Sequence, residues 1–264
     1  MKLRPVVLKF GTGILAREGG CSLDPAQFRR LSGEIAQLVK SGIPCVVVSS
    51  AAVAAGVDAL GLSSRPVDLA GKQACAAVGQ PALMGAYTRH LARHGLRPAQ
   101  LLLTHEDIFD EGRRRNASVT LKKLLTSPGV VPIINENDSV AVEELRFGDN
   151  DRLSAEVAQL LGARLLILLT SADGLLARSS KDSAKAVRIP VVTDIREAFR
   201  HVTPEKGEHS TGGMITKLQA VETAVAGGVE TVIADGRKQG QIHGAVRGLD
   251  VGTRFPAVRK RKLS

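Results

Sequence analysis

Five nearly uninterrupted aliphatic runs, separated by segments of helical period, constrain what this chain can fold into more than any other feature. They are Val6-Val7-Leu8-Lys9-Phe10, Cys45-Val46-Val47-Val48-Ser49, Val130-Val131-Pro132-Ile133-Ile134, Leu165–Thr170 and Thr231–Ala234. A strand that is apolar on both faces needs cover on both faces. The pattern therefore predicts α/β architecture, a three-layer αβα sandwich with a mainly parallel central sheet. The intervening segments fit. Asp24 and Pro25 are helix-start signals, Phe28, Leu31, Ile35, Leu38 and Val39 form the apolar stripe, and Gly42 stops it. A helix is predicted from about Gly71 to His94, a strand near Gln100–Thr104, a helix near Asn116–Leu125, and a further helix carrying Leu153, Val157, Leu160 and Leu161. Val140–Phe147 reads as a short excursion or hairpin. Arg178–Lys185 lacks any period and reads as a surface loop that divides the chain into two lobes.

Composition narrows the class. At 264 residues and 44% hydrophobic content the chain can bury a core as one large or two small domains. Aromatic residues are 3%, so that core must be aliphatic. Cys21, Cys45 and Cys75 show no C-x-x-C spacing, and two of them lie in apolar segments, which predicts free thiols and a reducing cytosol. The N-terminus carries no signal-peptide pattern, and no apolar stretch approaches the roughly 20 residues of a membrane span. A cytoplasmic protein is expected. The net charge of +10 raises nucleic acid as a partner, but Arg113-Arg114-Arg115 and Arg259-Lys260-Arg261-Lys262 have almost no aromatic neighbours. A solvated face, or attraction of anionic substrates, explains them better.

Four constellations can carry chemistry. Asn135-Glu136-Asn137-Asp138 and Gly148-Asp149-Asn150-Asp151 place two clusters of short amides and carboxylates at the ends of apolar segments. Each alone reads as a turn or a helix cap; together they point to a small substrate bearing an amine and carboxylates. Lys9-Phe10-Gly11-Thr12-Gly13 puts a lysine at a strand end before glycines, where open parallel sheets bind ligands and where backbone N–H groups approach phosphate. It is neither a Walker A loop nor a G-x-G-x-x-G fingerprint. Ser49-Ser50-Ala51-Ala52-Val53-Ala54-Ala55-Gly56 allows close backbone approach, with Ser50 either holding a carboxylate or capping a helix. Thr211-Gly212-Gly213-Met214 opens a helix that holds Lys217 near its start. A cation there works against the helix dipole, and a bound anion is the simplest reason for it.

Taken with Lys72-Gln73, Ala77-Val78-Gly79-Gln80, Leu168-Leu169-Thr170 and Asp173-Gly174-Leu175, these pieces resemble the glutamate 5-kinase family of the amino acid kinase superfamily, in order from residue 9 to about 253. The two Asn/Asp clusters are the specific part. The resemblance implies ATP-dependent phosphorylation of the γ-carboxylate of L-glutamate, with Mg²⁺ accompanying ATP. It implies one kinase domain over 1–255, with glutamate on an N-lobe of about 1–165 and ATP on a C-lobe of about 166–255, then a basic tail at 256–264. Carried over by position, Lys9 and Lys217 stabilise the transferring phosphoryl group and Asp151 holds both lysines. Ser50, Asn135, Asp138 and Asn150 bind glutamate. Lys9, Gly11, Thr12, Thr170, Ser171, Thr211, Gly212, Gly213, Met214 and Lys217 hold the nucleotide, with no metal ligand from the protein. A homo-oligomer (dimer or tetramer) and feedback inhibition by proline are implied in the same way, as is a chain ending without the C-terminal PUA domain that many members append. The chain departs from the family pattern at Gly13 for serine, Ala51 for glycine, Ser118 for arginine and Ser171 for aspartate.

The residues alone agree with such a reaction. A glutamate side chain with a pKa of roughly 4.3 is already ionised at neutral pH, so the nucleophile needs no general base. No histidine or Cys/His pattern supplies one; His90, His94 and His105 read as structural or exposed. Three other readings stand beside it. One is the same fold with another acceptor, whether a different amino acid, carbamate or a phosphate. Another is a weakly active sensor of glutamate or proline, favoured by Ala51 and Ser171. The last is nucleic-acid binding through the basic tail.

Overall fold

The computed structural model describes residues 4–141, 150–179, 182–202 and 213–258. In chain order the first half holds β1 (Val6–Phe10), α1 (Thr12–Leu15), α2 (Pro25–Lys40), β2 (Cys45–Ser49), α3 (Ala52–Ala59), α4 (Leu69–Ala92), β3 (Arg97–Leu103), α5 (His105–Phe109), α6 (Glu111–Leu125) and β4 (Val130–Glu136). The second half holds α7 (Asp151–Leu161), β5 (Leu165–Thr170), β6 (Leu176–Ser179), β7 (Asp182–Arg188), α8 (Ile195–Arg200), α9 (Met214–Ala226), β8 (Glu230–Asp235), α10 (Gln241–Arg247) and β9 (Thr253–Phe255). Seven strands form one sheet in the order β3-β4-β2-β1-β5-β8-β9. β1 is central, parallel to β2 on one side and β5 on the other. Only the edge strand β9 runs antiparallel, against β8.

Period-two alternation explains the layers. In β1, Leu8 and Phe10 point into one core with residues of α2, α3, α4 and α10, and Val7 points into the other with α5, α6, α7, α8 and α9. Both cores are mostly aliphatic; among the described residues Phe10, Phe28, Tyr87 and Phe255 are the buried Phe and Tyr side chains. Each fully buried Val, Leu or Ile contributes roughly 1.5–3 kcal/mol, which many small contacts can accumulate without aromatic bulk. Asp24 caps α2 by accepting from Ala26 and Gln27, with Pro25 in the first turn, as its sequence predicts. Cys45 and Cys75 are buried and unbridged, and burial pushes the Cys45 thiol up to about 12. No helix of the described residues is long and apolar enough to cross a membrane.

One close approach shapes the substrate side. α3 and α4 meet backbone to backbone: a Cβ on Gly56 would stand 1.8 Å from the Cys75 carbonyl oxygen, and one on Gly79 1.9 Å from that of Ala52. Glycine is the only residue that lets these two helices touch.

The structure corrects three sequence expectations. Arg178–Lys185 is not a plain loop, because β6 and β7 run through it as an antiparallel pair with a register shift at Arg178/Ser179. Its polar composition, with no apolar alternation along Arg178–Lys185, hid the strands. α6 begins at Glu111, earlier than Asn116, because Asp110 caps it by accepting from the Arg113 N–H. The Gly11–Gly13 turn continues as one helical turn from Thr12 to Leu15. Most of the Val140–Phe147 excursion lies outside the described residues.

Candidate active site

The parallel strands all end on the same edge of the sheet, where open α/β sheets leave a crevice. β1 delivers Lys9 there, one residue before its end and on the same face as Val7, toward α7 and α9. α7 opens with Asp151, and α9 carries Lys217 in its first turn or so. The three side chains converge. Lys9 Nζ lies 2.5 Å from Asp151 Oδ1, and Lys217 Nζ 2.9 Å from Asp151 Oδ2. Asp151 is 1% exposed, Lys9 3% and Lys217 8%. Asp151 is thereby the bridge between two lysines, which share its one carboxylate at the carboxyl ends of the strands.

The surroundings are built for an anion. A Cβ on Gly11 would sit 3.7 Å from Lys9 Nζ, in space that glycine leaves open. Gly213 is the N-cap of α9 and makes no side-chain cap bond. The positive end of the helix dipole therefore lies beside Lys217.

Next to the trio lies a cluster of amides. Asn150 is the N-cap position of α7, yet its side chain caps nothing. Its Nδ2 donates instead to the Ser49 carbonyl at the end of β2 and, at 2.7 Å, to Asn135 Oδ1 at the end of β4. The helix-cap explanation of Asn150 is thus excluded by geometry. Asn135 in turn donates to Gln80 Oε1 on α4 at 2.8 Å. The Ser49 hydroxyl pairs with Tyr87 of α4 at 2.9 Å. Burial drives the Tyr87 phenol pKa up, more than the Ser49 bond lowers it, so Tyr87 remains neutral. Asn135, Glu136 and Asn150 are all buried.

The model of the amino acid kinase family matches residues 4–235 of this chain. Curated relatives point the same way. The glutamate 5-kinase of Trichlorobacter lovleyi is 46% identical over 255 residues, covering 96% of this chain and 67% of that protein. Those of Moorella thermoacetica and Myxococcus xanthus are 45% and 42% identical, covering 96% and 98% of this chain and 66% and 68% of their own lengths. The chain belongs to the glutamate 5-kinases of the amino acid kinase family. It spans about two thirds of the length of these relatives. A UMP kinase from Bacillus anthracis shares the fold, with a TM-score of 0.62 over 97% of this chain and 98% of that one at 14% identity.

Ser50 follows directly on β2, half-buried, and Asp138 lies half-buried just past β4. Thr170 closes β5 opposite Asp235, and its carbonyl accepts from the Gly236 N–H at 2.8 Å. Ser171 is exposed, and Thr12 and Met214 are half-buried at the starts of α1 and α9. Asp149, Thr211 and Gly212 lie outside the described residues. Ala51, where the resemblance to the family leads one to expect glycine, adopts φ 80° and ψ 11°, the left-handed region that glycine enters freely. A Cβ in that conformation is strained. Ser118 is buried on α6; nothing in the structure explains its replacement of arginine. Lys238 pairs with Asp173 at 2.8 Å, and Arg237 donates to the Gly13 carbonyl at 3.3 Å, tying the loop after β8 to those after β5 and β1.

Sequence reasoning placed Ser49 and Gln80 in motifs without giving them a role, and passed over Tyr87. A signal was present: Tyr87 is the only tyrosine of the chain, and Gln80 precedes a proline inside α4. His105, expected to be structural or exposed, pairs with Glu156 of α7 at 2.8 Å.

Proposed function

We propose that this chain phosphorylates the γ-carboxylate of L-glutamate with ATP, giving L-glutamyl 5-phosphate, the first step of proline biosynthesis. The observation that carries the reading is the Lys9–Asp151–Lys217 bridge, set beside a cluster of buried amides at the carboxyl ends of the strands. Two anions must approach each other, and charge must be neutralised on the group in transfer. Positioned ammonium groups and helix N–H donors do this without reorganising. The acceptor carboxylate is ionised at neutral pH, so proton abstraction plays no part.

Lys9 and Lys217 sit on the transferring phosphoryl group, with Asp151 holding them apart and in register. Ser50, Asn135, Asp138 and Asn150 hold glutamate: the Ser50 hydroxyl takes a carboxylate, and Asp138 and the Asn150 amide oxygen take its ammonium. Gly11, Thr12, Thr170, Ser171 and the Thr211–Lys217 segment hold the nucleotide. Residues up to about 165 then form a glutamate lobe and those from 166 to 255 an ATP lobe. Magnesium fits this donor set as an ion bound to the nucleotide, since the donors here suit phosphate and both Asp151 oxygens are engaged by lysines. When bound, it supplies further neutralisation of the phosphates. A cytoplasmic homo-oligomer, dimer or tetramer, with proline as a feedback inhibitor, belongs to the same proposal.

The test is glutamate-dependent ADP release, with the acyl phosphate trapped as its hydroxamate. The intact chain is expected to yield hydroxamate with glutamate. Lys217→Ala is expected to lose about 10²–10³ in turnover, the scale of one lost transition-state donor, while melting as a folded protein. Absence of hydroxamate with glutamate, but not with another acceptor, would sink the assignment.

A further inference from the structure

We propose that Gln80, on α4, is a positioning residue for glutamate: it sets which way the Asn135 and Asn150 amides face. The inference rests on Asn135 and Asn150 being substrate-binding groups. One group in the cluster has a polarity that is not adjustable. The Ser49 backbone carbonyl can only accept, so the Asn150 atom facing it is the nitrogen. That same nitrogen reaches Asn135, which must present its oxygen. The Asn135 nitrogen then faces α4, and Gln80 must present an oxygen to it. The Gln80 nitrogen is left pointing outward, to Gln100 Oε1 on the edge strand β3 at 2.8 Å. Each amide fixes the next.

Two consequences follow for the site. With its nitrogen doubly engaged, Asn150 keeps its oxygen as the free acceptor, the polarity a substrate ammonium needs. Asn135 and Asn150 are buried, so neither can replace a missing partner with bulk water. Gln80 is half-buried and Gln100 exposed. The outer end of the relay can therefore readjust, and the inner end cannot.

The experiment compares Gln80→Leu, which removes the acceptor, with Gln80→Glu, which keeps an acceptor of the same length and lets exposed Gln100 turn to donate. Gln80→Leu is expected to raise the KM for glutamate about ten- to hundredfold, the effect of an unpaired buried amide, with kcat and the KM for ATP within about threefold of wild type. Gln80→Glu is expected to stay within about threefold in all three. A leucine variant with wild-type KM for glutamate, or a glutamate variant as impaired as the leucine one, overturns the proposal. Should the leucine variant fail to fold, Gln80→Met takes its place under the same criteria. A second readout needs no substrate: the side-chain amide ¹⁵N–¹H signals of Asn135 and Asn150 should move in Gln80→Leu and stay in Gln80→Glu. Unmoved signals in Gln80→Leu overturn the relay itself. If they move as expected while the wild-type chain neither binds nor phosphorylates glutamate, the relay stands and the substrate assignment fails.

Discussion

Ala51 is the one non-glycine among the described residues with a left-handed backbone, at φ 80°. A Cβ crowds the following carbonyl oxygen in that region, at roughly 1–2 kcal/mol per residue. The strain sits between Ser50 and the first turn of α3, beside the proposed substrate groups. Ala51→Gly is therefore expected to stabilise the fold by about 1 kcal/mol, read as a higher urea midpoint at unchanged m. No change or a loss would mean that the segment relaxes out of this conformation in solution. At this scale the chemistry was readable from the chain. Lys9, Lys217, Asp151, Asn135 and Asn150 all carry types whose chemistry demands a partner. What the chain could not show was which partner. Asn150 sits where a helix cap belongs, and only its bonds to Ser49 and Asn135 separate the two roles.

Among elements, the α3–α4 contact is the least tolerant. Gly79 lies against the Ala52 carbonyl and the Gly56 N–H, with no room for a methyl group. Gly79→Ala is expected to cost at least about 2 kcal/mol by denaturation, as overpacking against backbone does. It should also raise the KM for glutamate, because α3 and α4 carry Ala51 and Gln80. A variant as stable as wild type would show that α3 shifts freely. Element types were largely legible because they depend on local periodicity. The β6–β7 ribbon was not, since its pairing gives no apolar alternation to read. The α3–α4 contact was also invisible: a glycine in a helix looks like a weak point until the neighbouring backbone is known.

The molecule as a whole carries +10, and its two substrates are anions. A field of that sign draws them to the crevice over distances comparable to the Debye length, about 10 Å at 0.1 M salt. Raising potassium chloride from about 0.05 to 0.5 M is expected to increase the KM for ATP and glutamate several-fold, with a smaller effect on kcat. The buried lysine–aspartate bridge is shielded from added ions, whereas the approach of substrate is not. A kcat that falls as steeply as KM rises would place the salt effect on the bridge instead.

The sequence by itself determined the layered α/β architecture, the aliphatic cores and the residue types that can handle a phosphate and an amino acid. Those properties are local: a run of apolar residues needs burial wherever it lies, and a lysine keeps its charge. Tertiary structure alone decided that Lys9 and Lys217 meet on one carboxylate, and that a glutamine from α4 reads the amides of β4 and α7. Lys217 and Asp151 are 66 positions apart, and no periodicity links them. They are joined because strand parity, helix placement and a common strand end bring them there together.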